Sequence, residues 1–155
     1  MAKAIKWYIK LQIKWGQATP APPVWPALGQ HWVAIPEFTK RFNDETKDRM
    51  GQILPVIITV YEDRSFDFIV KQPPAGVLVK EKLKLKSGSK VPQKDKVGHL
   101  TFQQLKEIAE QKIVDMNAVD IAGAMLTIDG TARQMWVTSD IHGMSIEDVR
   151  AKLGA

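Results

Sequence analysis

Cysteine is absent from this sequence, which removes a disulfide framework, a thiolate zinc site and a cysteine nucleophile in one step. Histidine is scarce. His31, His99 and His142 lie in three different segments, and none has a second histidine at helical spacing, so no metal site is expected. A phosphate-cradling glycine motif is missing as well, since Gly29, Gly51 and Gly76 stand alone. Asp63 and Asp67 flank what reads as a hairpin turn, where acidic residues serve the local backbone. His31 and Glu37 sit beside a proline-rich turn, where a histidine is more often a surface residue than a base. Enzymatic activity is therefore not expected. There is also no apolar run suited to a signal peptide or a membrane span, because Lys3, Lys6 and Lys10 interrupt the first eleven residues. A cytoplasmic protein without a membrane partner is the expectation.

What is present fits an ordinary globular chain. Of 155 residues, 45% are apolar and 25% charged, enough to build a real core as one large domain or two small ones. The net charge of +5 is local. From Lys80 to Lys96 stand Lys80, Lys82, Lys84, Lys86, Lys90, Lys94 and Lys96 against only Glu81 and Asp95, whereas the tail from Val97 onward is net acidic. A lysine segment that also contains Ser87, Gly88, Ser89 and Pro92 does not fold alone, and it has the footprint of a segment that meets phosphate. A solvated linker between two domains fits the same composition.

Periodicity supplies the elements. Ile5, Trp7, Ile9, Leu11 and Ile13 alternate with polar residues, which predicts a strand with one wet face. Ala18 to Pro26 holds four prolines and reads as stiff and non-strand. Pro36 and Glu37 open a helix expected to reach about Lys47. Ile53 to Tyr61 and Ser65 to Val70 form a hairpin around Glu62, Asp63 and Arg64. Pro73 and Pro74 stop the sheet, and a short helix is expected over 75–83. Beyond Gly98 the pattern turns helical, with Thr101 and Gln104 placed as a capping box. A second helix is expected from near Asn117, carrying Val119, Ala122, Met125, Leu126, Ala132 and Met135 on one face, with Gly130 as an interruption. That half reads as all-helical. Ser145 to Asp148 is a weaker capping signature before Val149 and Leu153. The fold class expected is α+β: an N-terminal α+β domain over 1–72 with a small three-stranded sheet, then a C-terminal helical domain over 73–138 with a hinge near 72–75 and a basic loop over 84–98. Residues 139–155 form a C-terminal extension in which a short capped helix is expected.

The residues also carry a resemblance. Lys10 to Ile13, Ala18 to Val24, Pro26 to His31, Glu37-Phe38 and Ile57 to Phe66 closely resemble bacterial ribosomal protein eleven of the large subunit. In the second half Ser87 to Ser89, Lys94 to Gly98, Glu107 to Ala109, Ile128 to Arg133 and Met135 are similar to that family's RNA-binding domain. The resemblance implies a non-enzymatic, cofactor-free component of the ribosomal stalk base. Its C-terminal domain would bind the GTPase-associated region of large-subunit rRNA, and its N-terminal domain would lie near incoming translation factors and stalk proteins. Carried over by position, the implied RNA-binding residues are Lys90, Pro92, Lys94, Lys96 and Gly98 in the loop, and Asn117, Gly130, Thr131, Arg133 and Gln134 on or beside the long helix. Gly130 and Ala132 would let RNA approach the backbone, while Met125 and Met135 are expected to pack. Pro20, Pro22, Pro23 and Pro26 correspond to a factor-facing segment that also forms part of a thiopeptide antibiotic site. Ala2, Lys3 and Lys40 correspond to positions methylated in some members. A nucleic-acid-binding helical module outside the ribosome is the alternative.

All five tryptophans, at 7, 15, 25, 32 and 136, stand where the resemblance implies glycine or another small residue. Base stacking by Trp25 and Trp32 is one reading. A gene that uses UGA for glycine, translated with a table that reads it as tryptophan, is the reading expected here.

Overall fold

The computed structural model describes residues 3–14, 16, 18–46, 52–91 and 94–154, and the chain divides between Pro73 and Pro74 into two compact units. In the N-terminal unit β1 (Ile5–Lys14) pairs antiparallel with β2 (Ile53–Tyr61), and β2 pairs antiparallel with β3 (Phe66–Val70). The central strand alternates cleanly, burying Leu54, Val56, Ile58 and Val60. On β1 the expected inward face is only half realised: Ile9 and Ile13 are buried, but Ile5 and Trp7 are exposed. Both stay paired with β2, but the ladder shifts register between them, and such a bulge bends and twists the strand locally.

Two helices, α1 (Val24–Gly29) and α2 (Ile35–Glu45), complete this core. Phe38 and Phe42 of α2 stack on each other and meet Phe66 and Phe68 of β3 edge-on or tilted. Each fully buried ring contributes roughly 1.5 to 3 kcal/mol by area. The proline-rich stretch yields more structure than its composition suggests, because Pro23 caps α1 and Pro26 lies in its first turn, where a missing N–H had no helical partner to lose. Thr46 follows α2 and ties it off, its hydroxyl donating to the Phe42 carbonyl at 2.7 Å and accepting from Gly16 N–H at 3.2 Å. Lys47, where the helix was expected to end, lies outside the described residues, as do Ala2, Trp15 and Pro92.

The C-terminal unit runs α3 (Ala75–Lys82), β4 (Gly98–Leu100), α4 (Phe102–Lys112) with a 3-10 turn over Ile113–Asp115, α5 (Ile121–Gln134), β5 (Val137–Ser139) and α6 (Ile146–Gly154). Its core joins Leu78 and Val79 of α3 to Leu105 and Ile108 of α4 and to Met125, Ile128 and Ala132 of α5. Thr101 and Gln104 form the capping box of α4: Gln104 N–H donates to Thr101 Oγ1, and Thr101 N–H to Gln104 Oε1 at 3.1 Å.

Four expectations are corrected here. The second half is not purely helical, since β4 and β5 form a parallel ladder pairing Gly98 with Val137 and Leu100 with Ser139. Each strand is three residues long and exists only because its distant partner is there. The long helix starts at Ile121, capped by Asp120, which leaves Asn117 in the preceding loop and Val119 99% exposed. Gly130 does not interrupt α5: one interior glycine costs about 1 kcal/mol, less than the packing of Ile128 and Ala132 on either side returns. Ala132 is fully buried, so it faces the core and not a partner. The short helix expected in the C-terminal extension is present as α6, and Ile141 and Val149 of this segment are fully buried in the core. A reciprocal cap between Ser145 and Asp148 starts α6.

Candidate nucleic-acid interface

Among its described residues the lysine segment after α3 has no regular structure until β4, yet it is fastened at two points to the end of α5. Ser89 N–H donates to the Met135 carbonyl at 3.3 Å, and Val97 N–H to the Trp136 carbonyl at 3.2 Å. Gly88 lets this happen, since a Cβ there would stand 3.3 Å from that same Met135 oxygen. Gly98 is constrained too, because a Cβ would come within 2.9 Å of Leu83 Cδ1. Of the implied RNA-binding residues, it is the one with an evident packing role. Between these anchors Lys90, Lys94 and Lys96 are exposed, as is Lys86 just before the first of them. Lys82, at the end of α3, instead pairs with Glu107 at 2.6 Å, which holds the Glu107 carboxyl below its ordinary range.

Where the loop returns to the helix, Lys96, Arg133 and Gln134 line one cleft of about 330 Å³ with Trp136, Val137, Thr138 and His142. Arg133 is aimed by Asp129, one turn back on α5, at 3.4 Å. Asp129 is itself buried: it accepts a short hydrogen bond from Ser139 and lies 3.8 Å from His142 Nδ1. Thr138 and His142 were invisible as site residues in the sequence, although Asp129 and Arg133 stand at a spacing of four that signals a helical ion pair.

From this cleft an exposed stripe runs back along α5 through Gly130 and Thr127. Nothing lies within 4 Å of where a Gly130 Cβ would be, so this glycine answers no packing need within the protein. It leaves bare backbone for an outside partner. Thr131 is half-buried beside α3 and donates to the Thr127 carbonyl, so it contributes less to the open face than Thr127. At the far end of the stripe Asn117 lines a second groove with Asp120, Gly123, Thr127 and Arg150. Asp120 holds its carboxyl below the usual range, first by accepting from Gly123 N–H and then through Arg150.

In the N-terminal unit Pro20, Pro22, Pro23 and Pro26 are all exposed. The start of their segment is pinned by Asn43, whose side-chain amide bonds both the N–H and the carbonyl of Ala18. Lys40 is exposed on α2. Lys3 is engaged, 2.7 Å from Asp63 and 2.9 Å from Ser65 Oγ, and the Asp63 carboxyl is drawn down to about 2, chiefly by Lys3 and then by Ser65. Among the described residues no group of three histidine, aspartate or glutamate side chains could hold a metal ion, and no helix is long and apolar enough to cross a membrane.

The arrangement offers lysines, a guanidinium, an amide and open helix backbone, which suits phosphate and base edges far better than bond-making chemistry. Comparison with known proteins agrees. Residues 9–66 match the family model described as ribosomal protein L11, N-terminal domain, and residues 71–138 match the one described as ribosomal protein L11, RNA binding domain. The second match takes in the basic loop, the stripe on α5 and every residue of the Arg133 cleft except His142, and the two together span most of the chain, which belongs to the ribosomal protein L11 family of non-enzymatic, rRNA-binding ribosomal constituents.

Proposed function

We propose that the C-terminal unit binds the GTPase-associated region of large-subunit rRNA at the base of the stalk, through the lysine loop, the Lys96-Arg133 cleft and the Thr127-Gly130 stripe. The observation that carries this reading is the fastening of the loop at Ser89 and Val97 to Met135 and Trp136, which sets exposed lysines beside a fixed helix face. Fixed groups can then select an RNA shape while the lysines supply salt-dependent affinity. Lys94 and Asn117 extend the same surface, and Pro92 is a further candidate by the resemblance alone. The N-terminal unit presents Pro20, Pro22, Pro23 and Pro26 to translation factors, stalk neighbours and thiopeptide antibiotics, as a rigid edge that loses little entropy on contact. Ala2, Lys3 and Lys40 are the methylation candidates.

The test is a salt titration of the full chain against the isolated rRNA fragment, with duplex DNA as competitor. Arg133→Ala should weaken RNA binding by about 1 to 3 kcal/mol while α5 stays folded, and Lys94→Ala should reduce the salt slope by about one unit. Parental affinity for both variants at every salt concentration would place the RNA elsewhere.

A further inference from the structure

Among the described residues, four that are not glycine adopt positive φ: Trp32 at 58°, Arg64 at 65°, Lys84 at 53° and Trp136 at 60°. Tryptophan supplies five of 155 residues and two of these four. Both stand just past the C-terminal end of a helix, and each donates its N–H to the carbonyl three residues back. After α1, Val33 N–H returns to the Leu28 carbonyl and Trp32 N–H to the Gly29 carbonyl, each at 3.3 Å, the pair of bonds made when one left-handed residue closes a helix. After α5, Trp136 N–H donates to the Arg133 carbonyl at 2.9 Å before the chain enters β5. Glycine predominates at this position because a β-carbon there crowds the neighbouring carbonyl.

The remaining described tryptophans have no positive φ but bury little, although Trp7 meets the His31 ring at 5.4 Å. Trp7 is 53% exposed and Trp25 60%, and Trp32 reaches 79%. Neither core contains a tryptophan, although this side chain has more apolar surface to bury than almost any other. Independent surface substitutions would not pick out one residue type at each of its described occurrences. A single codon read with the wrong table would.

We propose that positions 7, 15, 25, 32 and 136 are glycine in the protein the cell makes, each encoded by UGA, which the source organism reads as glycine. Two left-handed helix ends then carry the residue their backbone calls for. The Arg133 cleft changes as well: the Trp136 indole forms part of its wall, with Lys96 Nζ 5.9 Å from the ring centroid, and glycine at 136 opens the cleft and releases Lys96 toward a partner.

The deciding experiment is peptide-level mass spectrometry of the protein purified from its own cells, read beside the gene sequence. UGA at all five codons, with glycine in the corresponding peptides, is the expected result. UGG codons at 32 and 136 would overturn the proposal, and so would UGA codons whose peptides retain the indole.

Discussion

Cutting the chain after Ser139 removes Ile141 and Val149, both fully buried, together with α6. Burying an isoleucine or valine side chain stabilises by roughly 1.5 to 3 kcal/mol, so the two together supply about 3 to 6 kcal/mol. The Arg150 bridge to Asp120, 2.6 Å long between largely exposed groups, adds at most about 1 kcal/mol. Set against the 5 to 15 kcal/mol that usually separates a folded domain from its unfolded chain, the loss is a large share of the whole. At roughly 4 to 8 °C per kcal/mol for a unit of this size, the C-terminal unit should melt more than about 10 °C lower. Circular dichroism of full-length and truncated chains would read the shift. Ile141→Ala in the intact chain should alone cost about 2 to 5 kcal/mol, separating the core contribution from that of the helix as a whole. An unchanged melting temperature for the truncated chain would refute the reasoning and return residues 140–155 to the status of a dispensable extension.

Thr101→Ala removes the cap of α4 and should cost about 1 kcal/mol, measurable by urea unfolding. The Asp63 carboxyl should titrate by NMR near its lowered value of about 2, and Lys3→Ala should move it back toward the ordinary carboxylate range. Because the folded value is the lower one, what this pair adds to stability is present above the unfolded carboxylate pKa and disappears as pH falls from there through about 2. Trp32→Gly should stabilise the N-terminal unit by about 1 kcal/mol in chemical unfolding, since it relieves a left-handed β-carbon on a side chain with little contact to lose; a destabilised variant would contradict the strain argument.

The elements legible in the sequence are those whose signals are local. The β2-β3 hairpin shows in two apolar runs around Glu62 to Arg64, and α4 in the capping spacing of Thr101 and Gln104. What was misread depends on distant partners or on fine register. No property of Gly98 to Leu100 marks a strand until Val137 to Ser139 lies alongside. Ala132 and Gly130 are two residues apart on α5, and that offset turns one into the core and leaves the other bare. Ile5 and Trp7 continue a faultless alternation and stay paired with β2, but a register shift between them goes with exposure of both. The cleft was half legible for the same reason: Lys96 and Arg133 declare themselves by charge, whereas His142 and Thr138 join them only through the turn after α5.

The parallel ladder also sets an order of events. Residues 98–100 cannot pair with 137–139 until α4 and α5, which lie between them in the chain, have formed and turned back, and such long-range closure comes late in folding. Val97 is bonded to Trp136 beside that ladder, so the C-terminal anchor of the basic loop forms together with that late pairing. A chain cut before Val137 would keep every lysine of the loop but lose this anchor, so the placing of the loop against α5 depends on residues far from it in the sequence.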